Sequence, residues 1–232
     1  MRARQRHLNP GHFGAAIALD ARFGFSQANG SAVSTWEDRT TNNKDASQAT
    51  AANQPVYTSS GLNGNPVVTF DGANPPNADF LNVSSITVNQ PSFVISVWRA
   101  NGKANYLFDA ISGNRVIIGL DLSIGSGTGK LASFAGTVLE DSIDSSGSEM
   151  IATALYNSTS SQIWKNGVSR VSGNANTNNI GSIKLGERFA NFNNVSQLNG
   201  YIGAFTAISS SSDPIRKRIE HSYGFSFKLA CS

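Results

Sequence analysis

Hydrophobic positions along this chain occur in short runs, many of them alternating with polar residues, and clusters of Gly, Pro, Asn and Ser separate the runs. Such spacing is typical of a β-sandwich or a β-barrel. Hydrophobic positions at helical spacing are nearly absent. The pattern therefore predicts an all-β domain. Its clearest strands are predicted at residues 66–70, 80–88, 92–99, 115–120, 151–156, 161–164, 182–185 and 201–208.

A tight hairpin is predicted after Trp164. Asn166 and Gly167 follow that residue closely. Both central positions of a type I′ turn need a positive φ, which Asn and Gly adopt more easily than other residues. The strand that ends near Lys165 should therefore reverse its direction into a strand at 168–171.

One helix is predicted near the C-terminus. Asp213 can cap this helix, and Pro214 suits its first position. Ile219 and Tyr223 lie four residues apart and belong to one apolar stripe. Gly224 follows the stripe and is predicted to end the helix.

The composition fits one large domain. The chain has 232 residues, and sandwiches routinely form a single unit of about 200–250 residues. Charged residues make up only 14%, against about 25% in an average soluble protein, so neutral polar side chains must solvate the surface. We interpret this as a sign of a protein that works outside the cytosol. No repeat or long linker divides the chain, so we predict a basic arm at 1–14 and a sandwich at 15–232.

The charges are nearly balanced, with 18 basic and 15 acidic residues and a net charge of +3. Nucleic-acid binders need a stronger positive field, so no nucleic-acid partner is expected. The basic excess is local, because Arg2, Arg4, Arg6 and His7 all lie in the arm. These four residues are either solvated or anchor the arm on an acidic partner surface.

Signals for export and for membrane insertion are weak. The basic N-terminus is not followed by a continuous apolar segment of about 7–15 residues, so we expect no signal peptide. No apolar run approaches the roughly 20 residues of a transmembrane helix, so we expect no membrane insertion. Cys231 is the single cysteine, which excludes a disulfide within the chain.

Patterns for catalysis and metal binding are also weak. A retaining glycosidase needs two carboxyl groups about 5–5.5 Å apart on a rigid element. Glu140 and Asp144 share strand parity, but with Asp141 and Glu149 they lie in or beside the Ser/Gly-rich segment 141–148, which we interpret as a mobile loop. A calcium site is the alternative for this acidic cluster, although its spacing does not match an EF-hand loop. We therefore expect a protein that is not an enzyme and has no cofactor.

Aromatic residues are the remaining candidates for binding. Tyr57, Tyr106 and Phe192 lie beside polar loop residues and could stack on a sugar ring or on a partner surface. The alternative for these three is partial burial under loops. The aromatic residues expected in the core are Trp36, Trp98, Trp164, Phe70, Phe108 and Phe205.

An ordered set of short motifs runs through the chain. In the first half these are VSTWED at 33–38, QAT at 48–50, NQPVY at 53–57 and GLNGNPVVTFDG at 61–72. In the second half they are WKNG at 164–167, IKLG at 183–186 and LNGYIG at 198–203. Together, over residues 17 to about 229, they resemble laminin-G-like domains of the concanavalin A-like superfamily.

The resemblance implies a jelly-roll sandwich of two antiparallel sheets, with Trp36 and Phe70 in its core. It implies no particular activity, because this fold supports many functions. The chain departs from the family at 226–229, where it has SFKL instead of a Lys-Trp-Gly-Leu-like segment. The calcium ligands of some relatives have no clear counterparts, so the resemblance assigns no metal ligand here.

Three functional hypotheses follow, and the last of them is a glycan-active enzyme of the same fold. The relatives are mostly exported, yet we expect neither a signal peptide nor a disulfide here. A structural protein of a bacteriophage virion, either a capsid decoration or a tail or fibre component, reconciles these features. It would be made in the host cytoplasm and anchored by its arm to other virion proteins or to copies of itself. The alternative is a carbohydrate-binding adhesin or lectin domain, located outside the cell or on its surface, that binds cell-surface glycans.

Overall fold

A computed structural model describes residues 8–103, 105–111, 115–122, 128–188 and 197–232. These residues form two stacked antiparallel sheets of eight strands each and one C-terminal helix. The predicted jelly-roll sandwich is therefore confirmed. The strands are β1 (Ile17–Asp20), β2 (Thr35–Trp36), β3 (Ala46–Ser47), β4 (Val56–Leu62), β5 (Asn65–Asp71), β6 (Leu81–Val83), β7 (Ser92–Ala100), β8 (Tyr106–Ile111), β9 (Ile117–Leu120), β10 (Lys130–Phe134), β11 (Val138–Asp144), β12 (Met150–Tyr156), β13 (Ser161–Lys165), β14 (Val168–Gly173), β15 (Ser182–Leu185) and β16 (Asn199–Ile208).

The two sheets differ in what covers their outer faces. The back sheet has the order β14-β13-β12-β7-β16-β5-β4, with β1 beside β16. Helix α1 (Asp213–Phe227) contacts its strands β7 and β12. The front sheet has the order β11-β10-β9-β8-β15-β6-β3-β2. The helix therefore lies on the back sheet, where it covers strands at the centre of that sheet.

The core between the sheets is built from large side chains of both. Trp36, Phe70 and Trp98 are 0%, 1% and 0% exposed, which confirms the prediction that they are buried. Phe108 of the front sheet meets Phe205 of the back sheet edge-on, with 5.4 Å between the ring centroids. All seven residues of β12 are buried, because its two faces meet the front sheet and the helix.

Helix α1 continues past the predicted end at Gly224 and stops at Phe227, where Lys228 has a left-handed φ of 56°. The prediction that Gly224 ends the helix is wrong. Glycine at this position instead allows the C-terminal segment to pass close to the helix. A Cβ there would lie 2.9 Å from the Cβ of Cys231, which crosses over it. The cap is Ser212, so Asp213 belongs to the first turn.

Two charged residues of the helix are buried with the apolar stripe. Arg216 is 3% exposed and Glu220 is 0% exposed. Their side chains form an ion pair, and Glu220 accepts a hydrogen bond of 2.6 Å from Thr153 Oγ1 of β12. The Arg216 guanidinium also lies 4.5 Å from the ring centroid of Trp164. Buried charges need such partners, because an unpaired one is costly to desolvate.

The hairpin after Trp164 has the predicted turn, with φ of 53° at Asn166 and 80° at Gly167. The interpretation of 141–148 as a mobile loop is wrong in its first part. Residues 138–144 form β11, and Asp141 is 2% exposed. Its carboxylate accepts hydrogen bonds of 2.8 and 3.2 Å from Arg170 of β14, and this ion pair links β11 to β14.

Part of the predicted arm lies against the sandwich. Residues Pro10–Phe13 form a 3-10 turn, and Leu8 and Phe13 pack on the hydrophobic cluster beneath the helix. Asn9 Nδ2 donates a hydrogen bond of 2.8 Å to the carbonyl of Arg39. The rest of the arm, residues 1–7, lies outside the described part of the chain. Within the described residues, no helix has the length and apolarity required to cross a bilayer.

The contribution of the helix to stability can be measured with two phenylalanines. Phe227 is 0% exposed and its ring lies beneath the Arg22 guanidinium, 4.7 Å from it, whereas Phe225 is 63% exposed. Phe227→Ala should lower the free energy of unfolding by about 3–5 kcal/mol. Phe225→Ala, the matched control, should change it by less than about 0.5 kcal/mol. Urea denaturation would measure both, and equal effects would contradict this packing.

A buried carboxyl group makes stability depend on pH. Asp79 is 8% exposed and accepts a hydrogen bond of 3.1 Å from the Asp71 backbone N–H. Burial is the main cause that raises the pKa of Asp79 to about 6, and the negative charge of Asp71 adds to it. Because the folded-state pKa lies above that of an unfolded aspartate, the group favours folding at acidic pH. That contribution is lost as the pH rises through about 6.

Asp79→Asn should therefore flatten the fall in stability between about pH 4 and 6. At pH 7 it should stabilise the protein by on the order of 1–3 kcal/mol, since one pKa unit corresponds to about 1.4 kcal/mol. Asp213 is a control of opposite sign, because hydrogen bonds from Lys217 and Arg216 lower its pKa. Asp213→Asn should destabilise the protein at pH 7 and not at acidic pH. Thermal unfolding across pH measures both, and a less stable Asp79→Asn variant at pH 7 would contradict the account.

Candidate functional site

The outer face of the front sheet contains a depression of about 350 Å³. This volume is at the lower end of the range of about 300–1,000 Å³ that is usual for ligand pockets. Seven described residues line the depression: Tyr106, Arg115, Ile117, Leu122, Phe134, Val138 and Arg188. We call this the front depression.

Strand alternation explains why these residues meet. In β9, Ile118 points into the core between the sheets, so its neighbour Ile117 points outward. The register pairs Phe134 of β10 with Ile117, pairs Val138 of β11 with Phe134, and pairs Asp109 of β8 with Ile117. Since directly paired residues share a face, these four side chains form one row across four neighbouring strands.

One half of the front depression is apolar. Ile117 and Leu122 form its floor and are 3% and 7% exposed. Phe134 and Val138 pack against them and are only partly buried. The Phe134 ring thus offers the most accessible aromatic surface among the described lining residues. An aromatic ring over an apolar floor suits the hydrophobic side of a small ligand.

The other half carries positive charge. Asp109 is 0% exposed at its side chain and forms an ion pair with Arg115, whose side chain is 27% exposed. Arg115 Nε lies 3.2 and 3.1 Å from the two carboxylate oxygens, and its Nη2 also donates to Asp109. The guanidinium of Arg188 lies 5.7 Å from the centroid of the Tyr106 ring. Both arginines are therefore held in place by neighbouring side chains.

Further charged pairs lie on or just after strands that flank the front depression. Lys184 of β15 lies opposite Asp109 in the strand register and forms an ion pair with Glu187. Lys130 Nζ lies 4.0 Å from Glu140 Oε1. Asp109, Glu140 and Glu187 thus each have a basic group within ion-pair distance.

Of the aromatic residues predicted from sequence to bind a ligand, one lines the front depression and another is packed in the core. Tyr106 begins β8 and lines the front depression, although it is only 5% exposed. Tyr57 is 8% exposed, and its ring centroid lies 4.9 Å from that of Phe25 in the main core. This packing leaves little of Tyr57 for a ligand. Phe192 lies outside the described residues, as do the arm residues Arg2, Arg4, Arg6 and His7.

The acidic cluster does not form a metal centre in the described part of the chain. There, no group of three or more His, Cys, Asp or Glu side chains lies close enough to hold a metal ion. Asp144 accepts hydrogen bonds from Ser146, with 2.8 Å from its backbone N and 2.6 Å from its Oγ. These bonds lower the pKa of the Asp144 carboxyl group. Its role in the structure is to hold a turn.

Sequence reasoning missed Phe134, Arg115 and Arg188 as site residues. Phe134 belongs to a strand that the pattern did not predict, and only the pairing with β9 shows which way it points. Arg115 stands at the start of a predicted strand, yet the structure begins β9 at Ile117. One signal was available in the sequence. Ile117 is adjacent to the core residue Ile118 in a predicted strand, so its side chain is expected to point to the outer face.

Comparisons with known proteins show the fold. No protein-family model and no curated protein sequence matches the chain. Among solved structures it is similar to a GH54 α-l-arabinofuranosidase soaked with 4-nitrophenyl α-l-arabinofuranoside. The TM-score is 0.62 at 10% identity, over 96% of this chain and 65% of that one. The chain therefore spans somewhat less than two thirds of that arabinofuranosidase.

Two other solved structures show the same similarity. Domain 4 of AbnA, a GH43 extracellular arabinanase from Geobacillus stearothermophilus, was solved with arabinotriose. It has a TM-score of 0.57 at 13% identity, over 88% of this chain and 100% of that one. The binding domain of botulinum neurotoxin serotype D/C has a TM-score of 0.57 at 13% identity, over 94% and 52%. The chain thus has the jelly-roll sandwich fold, which it shares with the arabinofuranosidase, the arabinanase domain and the neurotoxin binding domain.

These comparisons correct the prediction that the protein is not an enzyme. That prediction rested on the lack of a close pair of carboxyl groups on any predicted strand, whereas two of the three similar structures come from an arabinofuranosidase and an arabinanase. The sequence pattern also missed two strands, β8 and β11, which carry Asp109 and Glu140. The virion hypothesis gains no support, since none of the three is described as a virion protein.

Proposed function

We propose that this protein is a carbohydrate-binding sandwich and that sugars bind in the front depression. The observation that carries the proposal is the accessible ring of Phe134 beside two held guanidinium groups, Arg115 and Arg188, over an apolar floor. Ligand sites typically combine an apolar lining with a few well-placed polar groups that set orientation.

The chemistry of a sugar suits both halves of the front depression. One face of a pyranose or furanose ring presents C–H groups, which pack well on an aromatic ring such as Phe134. The hydroxyl groups at its edge accept hydrogen bonds from donors such as Arg115 and Arg188. Because Asp109 fixes Arg115, that donor is largely pre-organised, which reduces the entropy cost of binding.

The solved structures support the proposal as analogy. The arabinanase domain was solved with arabinotriose, and it matches this chain over its full length. The arabinofuranosidase was soaked with an arabinofuranoside. A pentose or hexose oligosaccharide is therefore the ligand class that we propose for this chain. An arabinoside is the first to test.

The proposed function brings two related proposals with it. A glycan-binding domain would act outside the cell or on its surface, whereas placement in a virion stays an untested hypothesis. Membership of the laminin-G-like family within this fold also stays a proposal, supported by the ordered motifs from 33–38 to 198–203.

Removing the aromatic surface should weaken binding. Phe134→Ala should reduce the affinity for the best glycan found on an array, with arabinotriose included, by about tenfold or more, because truncated aromatic anchors typically cost over 1 kcal/mol. Phe225→Ala, which removes a 63% exposed ring on the helix, is the matched control and should bind like the unaltered protein. Isothermal titration calorimetry measures each affinity. Full affinity in the Phe134→Ala variant would refute this site.

A further inference from the structure

We infer that the front depression selects a sugar that carries a carboxylate, such as a uronic acid, over a neutral sugar of the same shape. This inference rests on the proposed function and specifies its ligand. It depends on the charge and on the geometry of the two arginines that line the site.

The lining of the front depression has an excess of positive charge. Its seven described residues include Arg115 and Arg188 and no acidic residue. Asp109 forms an ion pair with Arg115 from beneath the depression, so the lining residues and this carboxylate together comprise two basic groups and one acidic group. The flanking pairs Lys184–Glu187 and Lys130–Glu140 each contain one positive and one negative group, so they add no net charge.

The geometry of Arg115 leaves donors for a ligand. Its pair with Asp109 uses Nε and Nη2, which lie on one edge of the planar guanidinium group. The two N–H groups of Nη1 lie outside that edge, in a side chain that is 27% exposed. Arginine forks match the planar geometry of a carboxylate, and charge-assisted hydrogen bonds of this kind are about twice as strong as neutral ones.

Arg188 places a second guanidinium at the same depression. Its position over Tyr106 holds the positive charge next to the apolar floor, where water is partly excluded. A neutral sugar that enters would bring no negative charge to these two guanidinium groups. A sugar carboxylate would supply an opposite charge as it displaces the water, so the site should discriminate by charge more than by ring shape.

The experiment compares two ligands with the same sugar backbone, one with charged carboxylates and the other with neutral methyl esters. Trigalacturonate and its fully methyl-esterified form are titrated into the full chain by calorimetry, at low and at high NaCl concentration. We expect the acid to bind at least tenfold more tightly at low salt, with most of the preference lost at high salt. The preference should fall at least fivefold in Arg188→Gln. Lys217→Gln, which removes a 54% exposed charge on the helix, should keep it.

Arg115 needs a paired substitution, because Arg115→Gln alone would leave the buried Asp109 carboxylate without this partner. The double variant Asp109→Asn with Arg115→Gln removes both charges together. It should fold, as judged by circular dichroism, and should lose the preference for the acid. Retention of the full preference in this folded variant and in Arg188→Gln would overturn the inference.

The remaining outcomes separate the inference from the proposed function. Equal binding of the acid and its ester would overturn the inference and leave carbohydrate binding intact. Tighter binding of a galactose 6-sulfate oligosaccharide than of the uronate would overturn the assignment to a carboxylate. Failure of the folded protein to bind any sugar, charged or neutral, would overturn both the inference and the proposed function.

Discussion

The structure depends on burial of both faces of the back sheet. In β7, eight of nine residues are buried, and all seven are buried in β12. Polar groups in such strands need partners inside the protein. Ser96 Oγ donates to the Ala204 carbonyl at 2.7 Å, and Thr206 Oγ1 lies 2.6 Å from the Tyr223 hydroxyl of the helix. The helix is therefore held to the sheet by polar as well as apolar contacts.

This constraint assigns different roles to the two outer faces. Because the helix covers central strands of the back sheet, a ligand has limited access there. The outer face of the front sheet has a smaller apolar cluster and carries the front depression. Its floor residue Ile117 belongs to β9, whose opposite face is in the core, and the second floor residue, Leu122, follows the end of that strand by two residues. Phe134 and the two arginines are thus placed on a rigid support, which favours binding by pre-organised groups.

The sandwich was predictable from sequence, whereas most of the site was not. Trp98 and Ile151 lie in long hydrophobic runs, which predict buried strands whatever their pairing partners are. Asn166 and Gly167 predict a tight turn because both residues readily adopt a positive φ. Phe134 lies in a short segment next to Gly and Ser residues, so its direction depends on pairing with β9. The position of Arg188 over Tyr106 depends on contacts between segments far apart in the chain, and no local pattern encodes these.

The central claim is that a sugar binds on the outer face of the front sheet. Amide chemical-shift mapping by NMR during titration with trigalacturonate tests this claim directly, because it reports the binding surface without any substitution. The account predicts that the amides of Ile117, Phe134 and Val138 shift in a saturable way, while those of Thr69 and Tyr201 in the back sheet do not. Saturable shifts confined to the back sheet, with the front sheet unchanged, would contradict it.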